Sequence, residues 1–300
     1  MTVTAVRPSE LTELLDSRLA AATDRHLSVA KEWFPHEYVP WGEGSDFDDA
    51  PYDEQTSRLS PAVRAAVQLN LLTEDNLPAY HRELHRAFGD DEPWRVWVDR
   101  WTAEEGRHAI ALRDYLVVTR SVDPVVLERE RMATVSSGFR APDKTMLRTL
   151  AYVSFQELAT RISHRNTGRL SGDPRLERLL TRIATDENLH MVFYRDLCAA
   201  ALEADPGAML TAVADELETF SMPGSGAPQF RRRAAVVARA GIYDLKVHRQ
   251  DIVEPLLRYW SVFELTDLPS AAERARDRIA SFCAALDQRI ARATSREAAR

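Results

Sequence analysis

The motif Glu-x-x-His occurs twice in this sequence, and a single glutamate precedes each copy by nearly the same interval. Residues three apart lie on one face of an α-helix, so each motif presents a carboxylate and an imidazole side by side. The first glutamate lies 31 residues before its motif, and the second lies 30 residues before its own. This repetition predicts two helical hairpins that bring six metal ligands together: Glu74, Glu105, His108, Glu157, Glu187 and His190.

Four carboxylates and two imidazoles suit a pair of metal ions. The carboxylates offset most of the charge of two divalent or trivalent cations, and each ion receives one nitrogen ligand. Hard oxygen ligands with one nitrogen per metal favour iron or manganese over structural zinc. Ferritin-like di-iron proteins use this ligand set in a four-helix bundle. We therefore expect two iron ions per chain, with manganese as an alternative occupant.

Only two of the eight histidines have a glutamate three residues earlier, and both belong to the repeat. A lone Glu-x-x-His is usually a surface pair, so the repeat carries the prediction. The other six histidines are expected to be solvent-exposed or hydrogen-bonded for structural reasons: His26, His36, His81, His85, His164 and His248.

Four segments surround the six residues: Thr-Glu-Asp-Asn-Leu-Pro at 73–78, Trp-Thr-Ala-Glu-Glu-Gly-Arg-His at 101–108, residues 155–160 followed by 162–167, and Asp-Glu-Asn-Leu-His at 186–190. In this order they resemble the four ligand segments of the soluble acyl-carrier-protein (acyl-ACP) desaturases, in the branch that includes the mycobacterial homologues. The resemblance runs from about residue 26 to 280. Asp75 and Asn76 depart from the plant-type residues beside the first ligand, so the preferred chain length is expected to differ.

The resemblance implies an O₂-dependent enzyme that introduces a cis double bond into a saturated acyl chain carried on ACP. It implies electrons from ferredoxin and ferredoxin reductase, because the sequence has no ferredoxin-type cysteine cluster, flavin motif or dinucleotide fingerprint. It also implies a homodimer. Two alternatives stay open: a related di-iron oxygenase acting on another carrier-bound or free substrate, and a noncatalytic ferritin-like metal-binding protein.

Further residues receive roles around the ligands. Thr160, one helical turn after Glu157, is expected to handle oxygen or protons, although its hydroxyl can instead bond to a helix carbonyl. Asp186 is expected to orient a ligand imidazole, as metal-bound histidines usually require. Trp33 resembles the family's surface tryptophan on an electron route through His108 and Asp186.

Composition narrows the class without choosing the reaction. The net charge of −7 argues against a nucleic-acid partner. No run approaches the roughly 18 apolar residues of a membrane span, and no signal-peptide pattern is present. Two cysteines, Cys198 and Cys283, are too few for a disulfide framework and indicate buried, reduced thiols in the cytoplasm. An ACP would need a basic patch, for which residues 231–233 or the helix around Arg274 and Arg276 are candidates; a solvated helix face explains these charges equally well.

The predicted fold is all-α: a ferritin-like di-iron four-helix bundle with additional N- and C-terminal helices, in a single domain over residues 1–300. The core bundle is expected at about 60–204, further helices at about 205–292, and flexible ends beyond. Predicted helices are 8–32, 60–88 with a kink at Pro78, 92–119, 141–170 and 173–204. A long crossover is expected between His108 and Glu157. Trp94, Trp97 and Trp101 form a stripe typical of core packing, and Trp97 and Trp101 are also candidates for lining a substrate channel.

Overall fold

In the computed structural model, residues 8–49, 51–139, 144–222 and 224–298 are described, and all regular elements in these ranges are helical. Short 3₁₀ turns lie at Pro35–Glu37, Trp41–Glu43 and Glu54–Thr56, and a π-helical segment, His248–Val253, lies between the tenth and eleventh helices. The α-helices are α1 (Pro8–Val29), α2 (Pro61–Glu74), α3 (Leu77–Phe88), α4 (Trp94–Val118), α5 (Pro124–Ser137), α6 (Met146–Ser171), α7 (Pro174–Ala204), α8 (Pro206–Thr219), α9 (Phe230–Arg239), α10 (Leu245–Val247), α11 (Glu254–Tyr259) and α12 (Ser270–Ala298).

The central unit is a four-helix bundle of α2, α4, α6 and α7. Both α2 and α7 pack against α4 and α6, and the long connection from α4 to α6 contains α5. A two-residue turn joins α6 to α7: Gly172 has a φ of 67°, and the Asp173 carboxylate accepts hydrogen bonds from the first backbone N–H groups of α7. The all-α, ferritin-like bundle predicted from the repeat is confirmed.

The predicted helix over residues 60–88 is wrong in one respect, because it is two helices. Ser60 caps α2 as expected, but α2 ends at Glu74, and α3 begins at Leu77 with Pro78 in its first turn. A proline lacks an N–H donor and disfavours helical geometry in the residue before it, whereas the first turn of a helix needs no such donor. The chain therefore breaks at Asp75 and Asn76 instead of bending at Pro78, and Arg131 of α5 forms an ion pair with Asp75.

The other predicted helices lie close to their predicted bounds. The α1 helix stops three residues short of residue 32, α4 begins two residues after residue 92, and α7 begins after its Asp173 cap as expected. Residues 141–143 of the predicted third bundle helix lie outside the described residues, and α6 begins at Met146. The C-terminal helices were predicted to end at about residue 292, whereas α12 extends to Ala298.

The tryptophan stripe of α4 is buried. Trp97 stacks on Phe193 of α7 with ring centroids 3.4 Å apart, and Trp94 stacks on Phe88 at 4.4 Å. Cys198 and Cys283 are free and buried, as predicted, and burial raises the pKa of the Cys198 thiol to about 12. No helix in the described ranges is both long enough and apolar enough to cross a membrane.

One candidate for the basic patch is not available for docking. The guanidinium of Arg233 is buried and donates to both oxygens of the buried Glu130 carboxylate, at 2.9 and 2.7 Å. Arg231 and Arg232 are exposed. The sequence does not show this difference because the partner lies 103 positions away.

Replacing Arg233 by methionine should destabilise the protein, because it leaves the buried Glu130 carboxylate without its cation. The expected loss is about 3–5 kcal/mol in the free energy of unfolding. The exposed neighbour offers a matched control, since Arg232→Met should change this free energy by less than about 0.5 kcal/mol. Urea unfolding followed by circular dichroism measures both. Equal stability of the two variants would show that the buried pair contributes nothing.

Candidate metal centre

The six predicted ligands meet in one chamber at the centre of the bundle. Oxygen and nitrogen atoms of Glu74, Glu105, His108 and Glu187 lie within 4.8 Å of one another, and so do those of Glu105, Glu157, Glu187 and His190. Glu105 and Glu187 belong to both groups. The arrangement is that of two adjoining cation sites with two shared carboxylates.

Each bundle helix supplies its part from a buried face. Glu74 is the last residue of α2, and Glu157 lies in the middle of α6. The two Glu-x-x-His motifs lie within α4 and α7, where a separation of three residues places carboxylate and imidazole on one face. All six side chains are buried.

The imidazoles turn their Nδ1 atoms toward the chamber. The Nδ1 atom of His190 lies 2.8 Å from Oε1 of Glu105 and 3.6 Å from Oε2 of Glu157, and the Nδ1 atom of His108 lies 3.4 Å from Oε1 of Glu187. Several of these atoms are buried without a hydrogen bond: Oε1 of Glu105, Oε2 of Glu157, Oε1 of Glu187 and Nδ1 of His190. Buried polar atoms are normally satisfied, so this convergence fits a pair of bound cations.

The electrostatics of the chamber point the same way. Burial, together with the charge of Glu187, raises the pKa of Glu105 and raises that of Glu157 well above its ordinary value. Burial alone lowers the pKa of an imidazole, but the surrounding carboxylates raise the pKa of His108 and His190 well above the usual value. In the described part of the chain, no lysine or arginine forms an ion pair with the four glutamates of the chamber. The raised pKa values of Glu105 and Glu157 mean that all four carboxylates ionise together only when further positive charge is present, and bound metal ions would supply it.

A second layer of acids holds the imidazoles, and it crosses the bundle. Asp186 of α7 accepts a hydrogen bond from Nε2 of His108 on α4 at 3.4 Å, and Glu104 of α4 accepts one from Nε2 of His190 on α7 at 2.9 Å. A carboxylate only accepts hydrogen bonds, so each Nε2 carries the hydrogen. In the neutral imidazole, the lone pair of Nδ1 then faces the chamber.

Both acids are held in the ionised state. Burial raises the pKa of Asp186 and of Glu104, but hydrogen bonds from the histidines outweigh burial and leave both pKa values below their ordinary range. Each acid also pairs with an arginine one turn earlier on its own helix, Arg182 for Asp186 and Arg100 for Glu104. The two helices thus repeat a longer pattern than Glu-x-x-His, namely Arg-x-x-x-acid-Glu-x-x-His.

Trp33 lies against this second layer. Its indole N–H donates to Oδ2 of Asp186 at 2.7 Å, its ring stacks near the imidazole of His108 with centroids 6.2 Å apart, and the guanidinium of Arg107 lies 5.0 Å from the ring centroid. The resemblance places Trp33, His108 and Asp186 on one route, and in the structure these three residues are in contact. The surface position is wrong, because Trp33 is only 3% exposed.

The hydroxyl of Thr160 lies 2.8 Å from Oε2 of Glu187 and 3.0 Å from the backbone oxygen of Glu157. A hydroxyl has one hydrogen to donate, so it can serve the carboxylate or the carbonyl at one time. Both roles considered from the sequence lie within its reach.

A pocket opens beside the chamber. Glu74, Glu105 and Trp101 are among its lining residues, and its wall follows α3 through Leu77, Tyr80, Leu84 and Ala87. Trp101 also donates its indole N–H to Oε1 of Glu157 at 3.0 Å. Trp97 is not part of this lining; its indole N–H donates to the hydroxyl of Tyr194 in the core at 2.9 Å. Of the two tryptophans proposed for a channel, only Trp101 faces the pocket.

Known proteins resemble this chain in sequence and in fold. The sequence profile of the fatty acid desaturase family matches residues 8–300. The chain belongs to the fatty acid desaturase family. The mycobacterial resemblance seen in the sequence is confirmed as well: a Mycobacterium tuberculosis protein named "Putative acyl-acyl-carrier-protein desaturase DesA1" is 46% identical over 268 residues, which cover 86% of this chain and 79% of that protein.

Two further relatives extend the comparison. The chloroplastic stearoyl-acyl-carrier-protein 9-desaturase of Spinacia oleracea is 32% identical over 305 residues, which cover 93% of this chain and 76% of that protein. The X-ray structure of DesA2 from Mycobacterium tuberculosis, also named a putative acyl-ACP desaturase, superposes with a TM-score of 0.72 at 31% identity. The superposition covers 88% of this chain and 98% of the DesA2 chain.

The sequence did not reveal several residues that surround the metal centre. His26 donates to Oε2 of Glu104 at 2.9 Å, and His164 lies 3.3 Å from Oε1 of Glu74, so both buried histidines bond to the centre instead of lying apart from it. The acid before each motif glutamate was a usable signal, because Glu104 occupies the same place in its helix as Asp186. No local pattern marks His26 or His164.

Replacing Glu104 by glutamine should weaken iron binding by about 10- to 100-fold, because the amide no longer holds the His190 imidazole as a charged acceptor does. Asp186→Asn should weaken iron binding to a similar extent, because Asp186 holds the His108 imidazole in the same way. The amount of ferrous ion that each variant retains during dialysis against a chelator measures both effects. Glu203→Gln, a change at an exposed position of α7, is the matched control. Unchanged retention in both second-layer variants would contradict the orienting role.

Proposed function

We propose that this chain is a di-iron, O₂-dependent acyl-ACP desaturase that introduces a cis double bond into a saturated acyl chain during fatty acid biosynthesis. The observation that supports it best is the adjacency of two features. A buried chamber of four carboxylates and two imidazoles adjoins a pocket whose wall includes a row of apolar side chains from α3, Leu77, Leu84 and Ala87. An enzyme that removes hydrogens from an unactivated alkyl chain needs both.

In this proposal the two shared groups are Glu105 and Glu187. Glu74 and His108 would complete one iron site, and Glu157 and His190 would complete the other. Two irons held there would supply the strong oxidant, derived from O₂, that no side chain provides. The ligand chemistry fits iron and manganese; we propose iron as the native metal.

The protein's own work is positioning. Trp101 fixes one oxygen of Glu157 by its indole N–H, and the same ring forms part of the pocket wall. An alkyl chain has many equivalent methylenes, so the enzyme must select two of them by where the chain lies. The apolar side chains that α3 directs into the pocket, from Leu77 to Ala87, span about 15 Å along the helix axis and would hold that chain.

Protons and electrons need their own routes. Thr160 can hold a proton at its hydroxyl, within hydrogen-bond distance of Oε2 of Glu187. Trp33, Asp186 and His108 form a continuous set of contacts that reaches the chamber, and we propose that electrons from ferredoxin and its reductase enter along it. With only two cysteines, both free, the chain has no iron–sulfur cluster of its own for this purpose.

The partners complete the proposal. Acyl carrier proteins are acidic, so a docking site should present exposed cations; Arg231, Arg232 and Arg274 are exposed, whereas Arg276 is half-buried and donates to the backbone oxygen of Leu265. We further propose that the enzyme acts in the cytoplasm as a homodimer.

Turnover of stearoyl- and palmitoyl-ACP tests the function directly. Iron-loaded protein with a ferredoxin reducing system and O₂ should yield an acyl chain lighter by two mass units, and fragmentation of the product locates the double bond. A product heavier by one oxygen would instead identify an oxygenase. Two bound irons without turnover of either chain would favour another substrate or a metal-binding role.

A substitution of one proposed ligand tests the metal site independently of the choice of substrate. Glu157→Ala should abolish both iron loading and oxygen consumption, because it removes a carboxylate from the chamber, whereas Glu203→Ala, at an exposed position of α7, should leave both unchanged. Full activity of the Glu157 variant would overturn the ligand assignment.

The pocket makes a second prediction, about chain length. Ala87→Phe adds a ring to the pocket wall about three turns along α3 from Leu77, so it should shorten the space for the acyl chain. The ratio of kcat/KM for stearoyl-ACP to that for palmitoyl-ACP should fall by about tenfold, the lower range for a methylene in a fitted pocket. Ala133→Phe, which makes the same substitution at an exposed position of α5 outside the lining, is the control. An unchanged ratio would place the end of the chain elsewhere.

A further inference from the structure

A second cluster of metal-binding side chains lies outside the chamber, where α3 packs against α4. His81 and His85 are one turn apart on α3, with ring centroids 4.4 Å apart, and Asp99 faces them from α4. One ligand atom from each of the three residues lies within 4.8 Å of the other two. Both histidines are half-buried and Asp99 is exposed, so the cluster is open to solvent.

Each imidazole is held by its Nδ1 atom. Nδ1 of His81 lies 2.8 Å from the hydroxyl of Thr102, and Nδ1 of His85 lies 2.8 Å from Oδ1 of Asp90. Metal-bound histidines almost always have one ring nitrogen held in this way, which orients the other toward the ion. In the described part of the chain, no hydrogen bond engages Nε2 of His81, and Nε2 of His85 points to Oδ1 of Asp99 at 3.6 Å.

These distances suit a first-row transition metal. Zinc binds histidine nitrogen and carboxylate oxygen at about 2.0–2.2 Å in tetrahedral geometry, which places ligand atoms roughly 3.3–3.6 Å apart. The separation of 3.6 Å between Nε2 of His85 and Asp99 already matches. The guanidinium of Arg95 also pairs with Asp99, and would compete with a metal ion for its carboxylate. This pair is weak, because Nη1 of Arg95 lies 3.7 Å from Oδ2 of Asp99, whereas Nη2 of Arg95 pairs with Glu92 at 2.6 Å.

We propose that His81, His85 and Asp99 form a separate binding site for a divalent transition-metal ion, with water as the fourth ligand. Two imidazoles with one carboxylate favour zinc, copper or nickel over magnesium or calcium. The chamber offers mostly oxygen ligands instead, so the two sites differ in the metals that they prefer.

A metal ion at this site would join two helices that the chain connects only through the turn at residues 89–93. Leu77, Tyr80, Leu84 and Ala87 of the same α3 helix line the pocket, whereas the histidines do not. The ion would therefore hold the pocket wall against α4 without entering the pocket. Because it binds the folded protein alone, it should raise the thermal midpoint of unfolding.

Zinc binding to the iron-loaded enzyme tests the proposal. In equilibrium dialysis, we expect the wild-type protein to bind one more zinc ion per chain than the His85→Ala or His81→Ala variant. The difference reports on this site alone, because all three proteins keep the six chamber residues. The His36→Ala variant lacks an exposed histidine outside the cluster and should bind as much zinc as the wild-type protein. Zinc should raise the thermal midpoint of unfolding of the wild-type protein and of the His36 variant, but not that of the His85 variant.

A change in the outer partner sharpens the test. Asp90→Asn leaves all three ligands in place but removes the charged acceptor for Nδ1 of His85, so zinc should still bind with a dissociation constant about 10- to 100-fold larger. Asp99→Asn gives an independent ligand variant if a histidine variant fails to fold. Equal zinc content and equal zinc affinity in the wild-type protein and in any folded ligand variant would overturn the proposal.

Discussion

The structure depends on the burial of four carboxylates in one chamber. Buried carboxylates repel one another and lose their hydration, which raises the pKa of Glu105 and Glu157. A protein that needed only a stable core would fill this space with apolar side chains or pair each acid with an arginine. In the part of the chain that the structure describes, arginines pair instead with the outer acids, such as Arg182 with Asp186. The inner layer is left for cations that the chain does not supply.

The outer layer explains why the ligand motif extends beyond Glu-x-x-His. An acid placed directly before the motif glutamate points away from the chamber ligand on its own helix, and it reaches the imidazole of the opposite motif. Thus Glu104 bonds to His190, and Asp186 bonds to His108. Each helix carries both a ligand and the support for its partner's ligand, so the α4–α7 packing and the orientation of the imidazoles depend on each other.

The sequence was informative where a local period sets the geometry. The i, i+3 spacing places Glu105 with His108 on one helix face, and the nearly equal intervals of the repeat predict equivalent hairpins. The bundle and the meeting of all six side chains followed from these two patterns. Contacts between distant positions were missed, because no local pattern reports them: Arg233 is buried against Glu130, and His164 is buried against Glu74. The burial of Trp33 was missed for the same reason. The expected kink at Pro78 became a break, since a proline fits the first turn of a new helix better than the interior of an old one.

That break lies where the chamber meets the pocket, because Glu74 and Leu77, on either side of it, both line the pocket. After the break, α3 packs against α4 and α6. Ending α2 at Glu74 and restarting at Leu77 lets the ligand stay in the bundle while the next helix directs Leu77 and Tyr80 into the adjoining pocket. Asp75, in the interruption, is tied to α5 through Arg131. The position of the first ligand and the opening of the pocket are therefore set by the same few residues, and substitutions there would alter both together.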